Sequence, residues 1–242
     1  MRKARNKKLL VLLPTFAVVE FCLWLVILFA DLDSTTLSTC CFFSIAFAFT
    51  FAISFLKKDL GVGFLLEGLL FTLCADVFLV LPKKLTYNNQ VAGMALFSLV
   101  QLFYFAYLFF KTKNKKMRLV HGIVRGAAVV IAEVAMVIVL KKNTDFLSVL
   151  SLFYIANLFV SVVFAYAQGK KELLFAIGLT LFLCCDLFVG FSAAIGTYIQ
   201  VAESSLLYKI VHANFNFVWF FYLPSQVLIA SFTALQGSKI EK

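Results

Sequence analysis

Asp76 and Asp186 stand inside apolar runs, GLLFTLCADVFL at 68–79 and GLTLFLCCDLFV at 178–189. An ionised carboxylate alone in hydrocarbon is costly, so each must face protein, water or a partner, or hold its proton. Two carboxyl groups turned into one dry cleft do not easily both ionise. One keeps its proton and serves as an acid, while the other stays anionic. The same groups can instead be hydrogen-bonded links that hold helices together.

Other polar side chains interrupt the apolar runs. Gln101 and Tyr104 are three residues apart, and Tyr222 and Gln226 are four apart, so each pair shares one helical face. They either hydrogen-bond a ligand head group, orient the carboxyl groups, or join helix to helix. Glu67, nine residues before Asp76, falls on the opposite face of its helix. Arg125 and Glu133 are eight residues apart, too far for a direct pair. Arg125 is expected to snorkel toward the surface or to meet Glu67. Glu20 and Asn157 have no assignable partner, and His121, among basic residues near a helix start, reads as a surface side chain.

The elements that must position these residues are membrane spans. The chain has 242 residues, 63% of them hydrophobic and 14% charged, too little polar surface for a soluble globule. About 20 apolar residues cross a roughly 30 Å hydrocarbon core. The expected spans are 9–30, 36–56, 61–81, 91–110, 118–140, 145–166, 172–195 and 214–235. The fold class is therefore all-α: a polytopic membrane protein of about eight transmembrane helices in one domain, with no room for a soluble domain. The long connection at 196–213 has room for a short interfacial helix. The run Leu9 to Ala30 follows a basic start but is too long for a signal-peptide core and lacks a small-residue cleavage pattern. It reads as the first span.

The net charge of +10 does not point to nucleic acid. Lys and Arg sit in short clusters between apolar runs, and most fall on the side carrying both termini, which places the termini in the cytoplasm. The membrane expected is a bacterial cell membrane. The six cysteines lie within apolar runs without metal spacing. Nucleophile-elbow, zinc-protease, Walker and Rossmann patterns are absent from the sequence. No metal and no organic cofactor is expected.

Laying Asp76 on Asp186 also aligns Gly68 with Gly178, Leu73 with Leu183, Cys74 with Cys184 and Phe78 with Phe188. The third and seventh spans run in the same direction, so a four-plus-four internal duplication is expected, with halves near 1–116 and 117–242. A pseudo-two-fold axis then turns both aspartates toward one cavity.

Four blocks resemble the lysoplasmalogenase-like membrane proteins of the YhhN family. GLLFTLCADVFLVLP at 68–82 has Ala75 where the family has Gly before Asp, and GLTLFLCCDLFVGFSAA at 178–194 has Cys185 where it has Ser. GMALFSLVQLFYFAYL at 93–108 is similar to a Phe-x-x-x-His-x-x-Tyr helix, with Gln101 at the His position. WFFYLPSQVLIA at 219–230 is similar to a Tyr-x-Pro-x-Gln-x-Leu ending. The resemblance implies hydrolysis of the vinyl ether bond of a lysoplasmalogen to a fatty aldehyde and a glycerophospho-alcohol. Asp76 and Asp186 are then catalytic, and Gln101, Tyr104, Tyr222 and Gln226 bind substrate. The partners implied are the lysophospholipid and the surrounding membrane lipids. The competing readings are a lipid-binding or transport protein using the same acidic pair, or a catalytically silent relative. A closed, lipid-accessible cavity separates the enzyme from a path across the membrane.

Overall fold

The computed structural model describes residues 2–56, 58–141, 144–195, 201–213 and 215–238, with residues 2–7 and 140 described by their backbone alone. Nine helices are seen among them: α1 (Arg2–Phe29), α2 (Ser34–Ile53), α3 (Leu60–Leu79), α4 (Tyr87–Lys111), α5 (Lys115–Leu140), α6 (Phe146–Ala167), α7 (Leu173–Ala194), α8 (Leu206–Val211) and α9 (Phe217–Ser238). All but α8 are long and apolar enough to cross a membrane. The short α8 occupies the long connection, where an extra helix was expected.

Short polar side chains at the helix starts hold backbone N–H groups that the first turn leaves unpaired. Asp33 accepts from Thr35 and Thr36 (3.0 and 3.1 Å), Asp59 from Val62 (3.0 Å), and Asp145 from Ser148 (2.8 Å). These caps fix where the chain turns back.

Six helices close into a ring in the order α2, α3, α4, α6, α7, α9, each packed on the next and α9 packed on α2. Outside the ring, α1 lies on α2 and α9, and α5 lies on α6. Rotating the ring by three places carries α2 to α6, α3 to α7 and α4 to α9; the close backbone packing of α3 on α9 across the ring has no equal between α7 and α4.

Individual contacts repeat under the same rotation. Phe16 of α1 stacks on Phe51 of α2 (4.0 Å between ring centroids), and His121 of α5 stacks on Phe164 of α6 (3.9 Å). Four residues on from each outer ring, Glu20 accepts from Ser44 (2.5 Å) and Arg125 donates to Asn157 Oδ1 (2.7 Å). One shift relates Phe16 to His121 and Glu20 to Arg125. A second relates Ser44 to Asn157 and Phe51 to Phe164. In α3 and α7, a Cβ on Gly68 would stand 2.2 Å from the Tyr104 ring of α4, and a Cβ on Gly178 would stand 2.9 Å from Ile229 of α9. The shift that carries Tyr104 to Ile229 also carries Gln101 to Gln226.

Several expectations are corrected here. His121 is fully buried, because its ring lies between Phe164 and Phe105. Arg125 neither snorkels nor meets Glu67. It donates to Asn157 and to Ser161 (2.8 Å), and it lies over the Phe105 ring, 4.4 Å from the centroid. Neutral oxygens thus take the two terminal nitrogens of the buried guanidinium and an aromatic ring its face, while Nε has no hydrogen-bond partner. Glu67 faces outward. Glu20 and Asn157 both have partners, as above.

Candidate functional site

Pro224 lies inside α9 and has no N–H, which frees the carbonyl of Phe220 four residues back. The Trp24 indole of α1 donates to that carbonyl (3.3 Å). Ser225 Oγ donates to the Tyr222 carbonyl (2.6 Å), and Gln226 Nε2 donates to Ser225 Oγ (3.2 Å). The Tyr-x-Pro-x-Gln stretch thus stays within a continuous helix, its freed carbonyl bound by α1 and its polar groups by its own side chains. It presents Tyr222 to the ring interior.

There the Tyr222 hydroxyl lies 2.9 and 2.8 Å from the two carboxyl oxygens of Asp76, near the end of α3. Asp76 is 1% exposed. Across the ring, Tyr154 of α6 donates to Asp186 Oδ2 at 2.5 Å. Asp186 keeps part of its surface accessible. The two carboxyl groups are close enough to interact electrostatically, and the Cys185 thiol feels both. The Phe182 ring, one turn before Asp186, contacts Phe97, Tyr154 and Tyr222.

The structure brings Asp76, Asp186 and Tyr222 together, and it adds Tyr154. A tyrosine in an apolar helix is ordinary, so nothing in the sequence singled Tyr154 out. Gln101 is fully buried, and neither of its amide atoms has a hydrogen-bond partner among the described residues. Gln226 is also buried, with Oε1 unpartnered. Because Gly93 packs on Leu79 and Gly68 on Tyr104, Gln101 lies about 7 Å nearer the terminal side than Asp76, at 1.5 Å per residue. Tyr104 does not reach either carboxyl group. Its ring covers Gly68 and its hydroxyl lies toward Thr72.

On the terminal side, aromatic side chains fill the interior. Phe175 meets Tyr104, Tyr107 and Phe232 at 5.3, 5.5 and 5.2 Å. All four rings are nearly inaccessible. Below them the Tyr107 hydroxyl donates to the buried Glu172 (2.6 Å), another contact the sequence did not signal. A groove of about 320 Å³ lies between the end of α7, α8 and the start of α9, lined by Phe188, Ser192 and Phe217 among others. Phe188 is two residues from Asp186, some 200° around the helix, so the groove faces away from the carboxyl pair.

Eight helices long and apolar enough to span, six of them in a ring around Asp76 and Asp186, define a multi-pass helical membrane protein. The YhhN family model matches residues 34–232, and the chain belongs to that family. No curated protein and no solved structure matches it.

Proposed function

We propose that the chain is a lysoplasmalogenase-like hydrolase that cleaves the vinyl ether of a single-chain ether lipid. The observation that carries this reading is the meeting of Asp76 and Asp186 inside the ring, each on its own tyrosine hydroxyl. A vinyl ether is activated by protonation at carbon. The oxocarbenium-like centre that results is stabilised by a facing carboxylate, and water then adds to it. One carboxylic acid and one carboxylate in a water-poor site supply both needs.

The aromatic fill closes the interior on the terminal side, which favours the enzyme over a transporter using the same pair. Gln101 and Gln226 have buried amide atoms without a hydrogen-bond partner, and a buried polar group without a partner is costly. In this reading they hold the polar end of the lysolipid, with Tyr104 shaping the wall beside Gln101. The substrate arrives laterally from the bilayer, and both termini face the cytoplasm of a bacterial cell.

The test is aldehyde release from a lysoplasmenyl lipid by the purified protein beside Asp76→Asn and Asp186→Asn. Release by the parent that collapses in both variants is expected. A folded parent releasing no aldehyde from choline or ethanolamine substrates overturns the proposal.

A further inference from the structure

The two-fold relation between the halves breaks down at the carboxyl groups. The shift that carries Gln101 to Gln226 carries Phe97 to Tyr222, so the position in α4 equivalent to Tyr222 has no hydroxyl. The shift that carries Ser44 to Asn157 carries Cys41 to Tyr154, so α2 offers a thiol where α6 offers a phenol. Asp76 therefore takes its hydroxyl from the other half of the chain, and Asp186 takes its own from within the same half. Two aspartates at equivalent backbone positions have different chemical settings.

The geometries differ accordingly. The Tyr154 hydroxyl donates to a single oxygen of Asp186, at 2.5 Å. The Tyr222 hydroxyl stands against both oxygens of Asp76, at 2.9 and 2.8 Å. Burial agrees. Asp76 is 1% exposed, and the groups near it are Tyr222 of α9, Asp186 and Cys185 of α7, and Cys41 of α2, none of them a cation. A charge there has nothing to compensate it. Asp186 faces Tyr154 and is the less enclosed of the two, so of the pair it bears a charge at lower cost.

We propose that the shared proton of the pair resides on Asp76 and the negative charge on Asp186, so that Asp76 is the acid and Asp186 the carboxylate. Tyr222 and Tyr154 are the positioning residues that enforce the difference. Within the hydrolase reading, on which the catalytic roles rest, the steps balance. The Asp76 proton goes to the vinyl carbon distal to oxygen, and the electron pair of the double bond forms the new C–H bond. Water attacks the carbon bonded to oxygen and gives its proton to Asp186, leaving a hemiacetal. The hemiacetal hydroxyl returns a proton to Asp76 while Asp186 protonates the departing glycerol oxygen. The carbon–oxygen bond breaks to aldehyde and alcohol, and both carboxyl groups regain their starting states.

The resting protonation can be read without substrate. Infrared spectra of the full chain in lipid nanodiscs report the C=O stretch of protonated carboxyl groups. Glu20 and Glu172, the other fully buried carboxyl groups, contribute at most a constant background that Glu20→Gln and Glu172→Gln identify. The expected result is a protonated-carboxyl band, distinct from that background, that vanishes in Asp76→Asn, persists in Asp186→Asn, shifts in Tyr222→Phe and stays in place in Tyr154→Phe. The phenylalanine variants keep ring packing, so the assignment survives if an asparagine variant fails to fold. A band that vanishes in Asp186→Asn and persists in Asp76→Asn overturns the assignment, as does its absence from the parent. Because no turnover is involved, that failure is distinct from failure to release aldehyde.

Discussion

The outer contacts of the two halves invite comparison. On one side a ring stack and a carboxyl-to-hydroxyl bond join α1 to α2. On the other a ring stack and a guanidinium-to-amide bond join α5 to α6. The positions correspond, yet Glu20 and Arg125 are opposite in sign and Phe16 has become His121. Packing geometry is set by where rings and small residues let backbones approach. The sign of a buried group is set only by the partner it meets. A frame can therefore repeat while its chemistry diverges, and the same divergence reaches the ring interior. There it gives Asp76 and Asp186 different tyrosines. We read the repeated frame as the product of a four-plus-four duplication.

Changes at the unequal centre carry the largest expected effects. Asp76→Asn and Asp186→Asn each lower aldehyde release about 100-fold or more, within the range that general acid–base catalysis supplies. Detergent-melting temperatures are expected to stay near the parent value in both.

The glycine contacts sharpen the comparison at the next level. Gly68→Ala drives a methyl into the rigid Tyr104 ring at 2.2 Å, whereas Gly178→Ala meets Ile229 at 2.9 Å and a backbone carbonyl at 3.3 Å. Gly68→Ala is expected to cost about 1–3 kcal/mol of stability, the usual range for overpacking, and Gly178→Ala less. Gly126→Ala, with open space around it, is the control. Equal losses at Gly68 and Gly178 contradict the account of unequal contacts.

Trp24 binds only one half of the frame, so Trp24→Phe is expected to cost about 1 kcal/mol through loss of the bond to the Phe220 carbonyl. In Pro224→Ala the carbonyl regains a helical N–H, and the Trp24→Phe cost measured in that background shrinks. An undiminished cost shows that the indole acts through packing alone.

The smallest effect is at a cap outside the membrane. The Ser148 hydroxyl and backbone N–H hold the Asp145 carboxyl below the usual carboxylate range. Its folded state thus favours the charged form, and that contribution is complete above the ordinary carboxylate range and fades as pH falls through it. Asp145→Ala is expected to cost about 1 kcal/mol at neutral pH and less in acid, measured by thermal unfolding at both. A cost that does not change with pH argues against a charged cap.

The eight spans were legible because length in hydrocarbon and apolar composition are tightly linked. Asp76 and Asp186 were legible because a carboxyl in an apolar helix is anomalous wherever the helix sits. Tyr154 carries no such anomaly, and its role depends on a neighbour 32 residues away. His121 was misplaced because its burial depends on Phe164, which belongs to the next helix. Arg125 was misassigned because its partners are neutral oxygens, whereas the sequence draws the eye to opposite charges such as Glu67. The Trp24 contact depends on a carbonyl freed by Pro224 at the far end of the chain. The closed six-helix ring was likewise invisible, since span order says nothing about which non-consecutive helices touch.

The central claim is that the paired carboxyl groups hydrate and open a vinyl ether. Its most direct test is the reaction of the reconstituted protein with a lysoplasmenyl ethanolamine lipid in deuterated water. The account predicts aldehyde and glycerophospho-alcohol in equal amounts, with one solvent deuterium on the carbon next to the aldehyde, and neither product from Asp76→Asn or Asp186→Asn. No aldehyde from a folded parent, or aldehyde undiminished in the two variants, contradicts it.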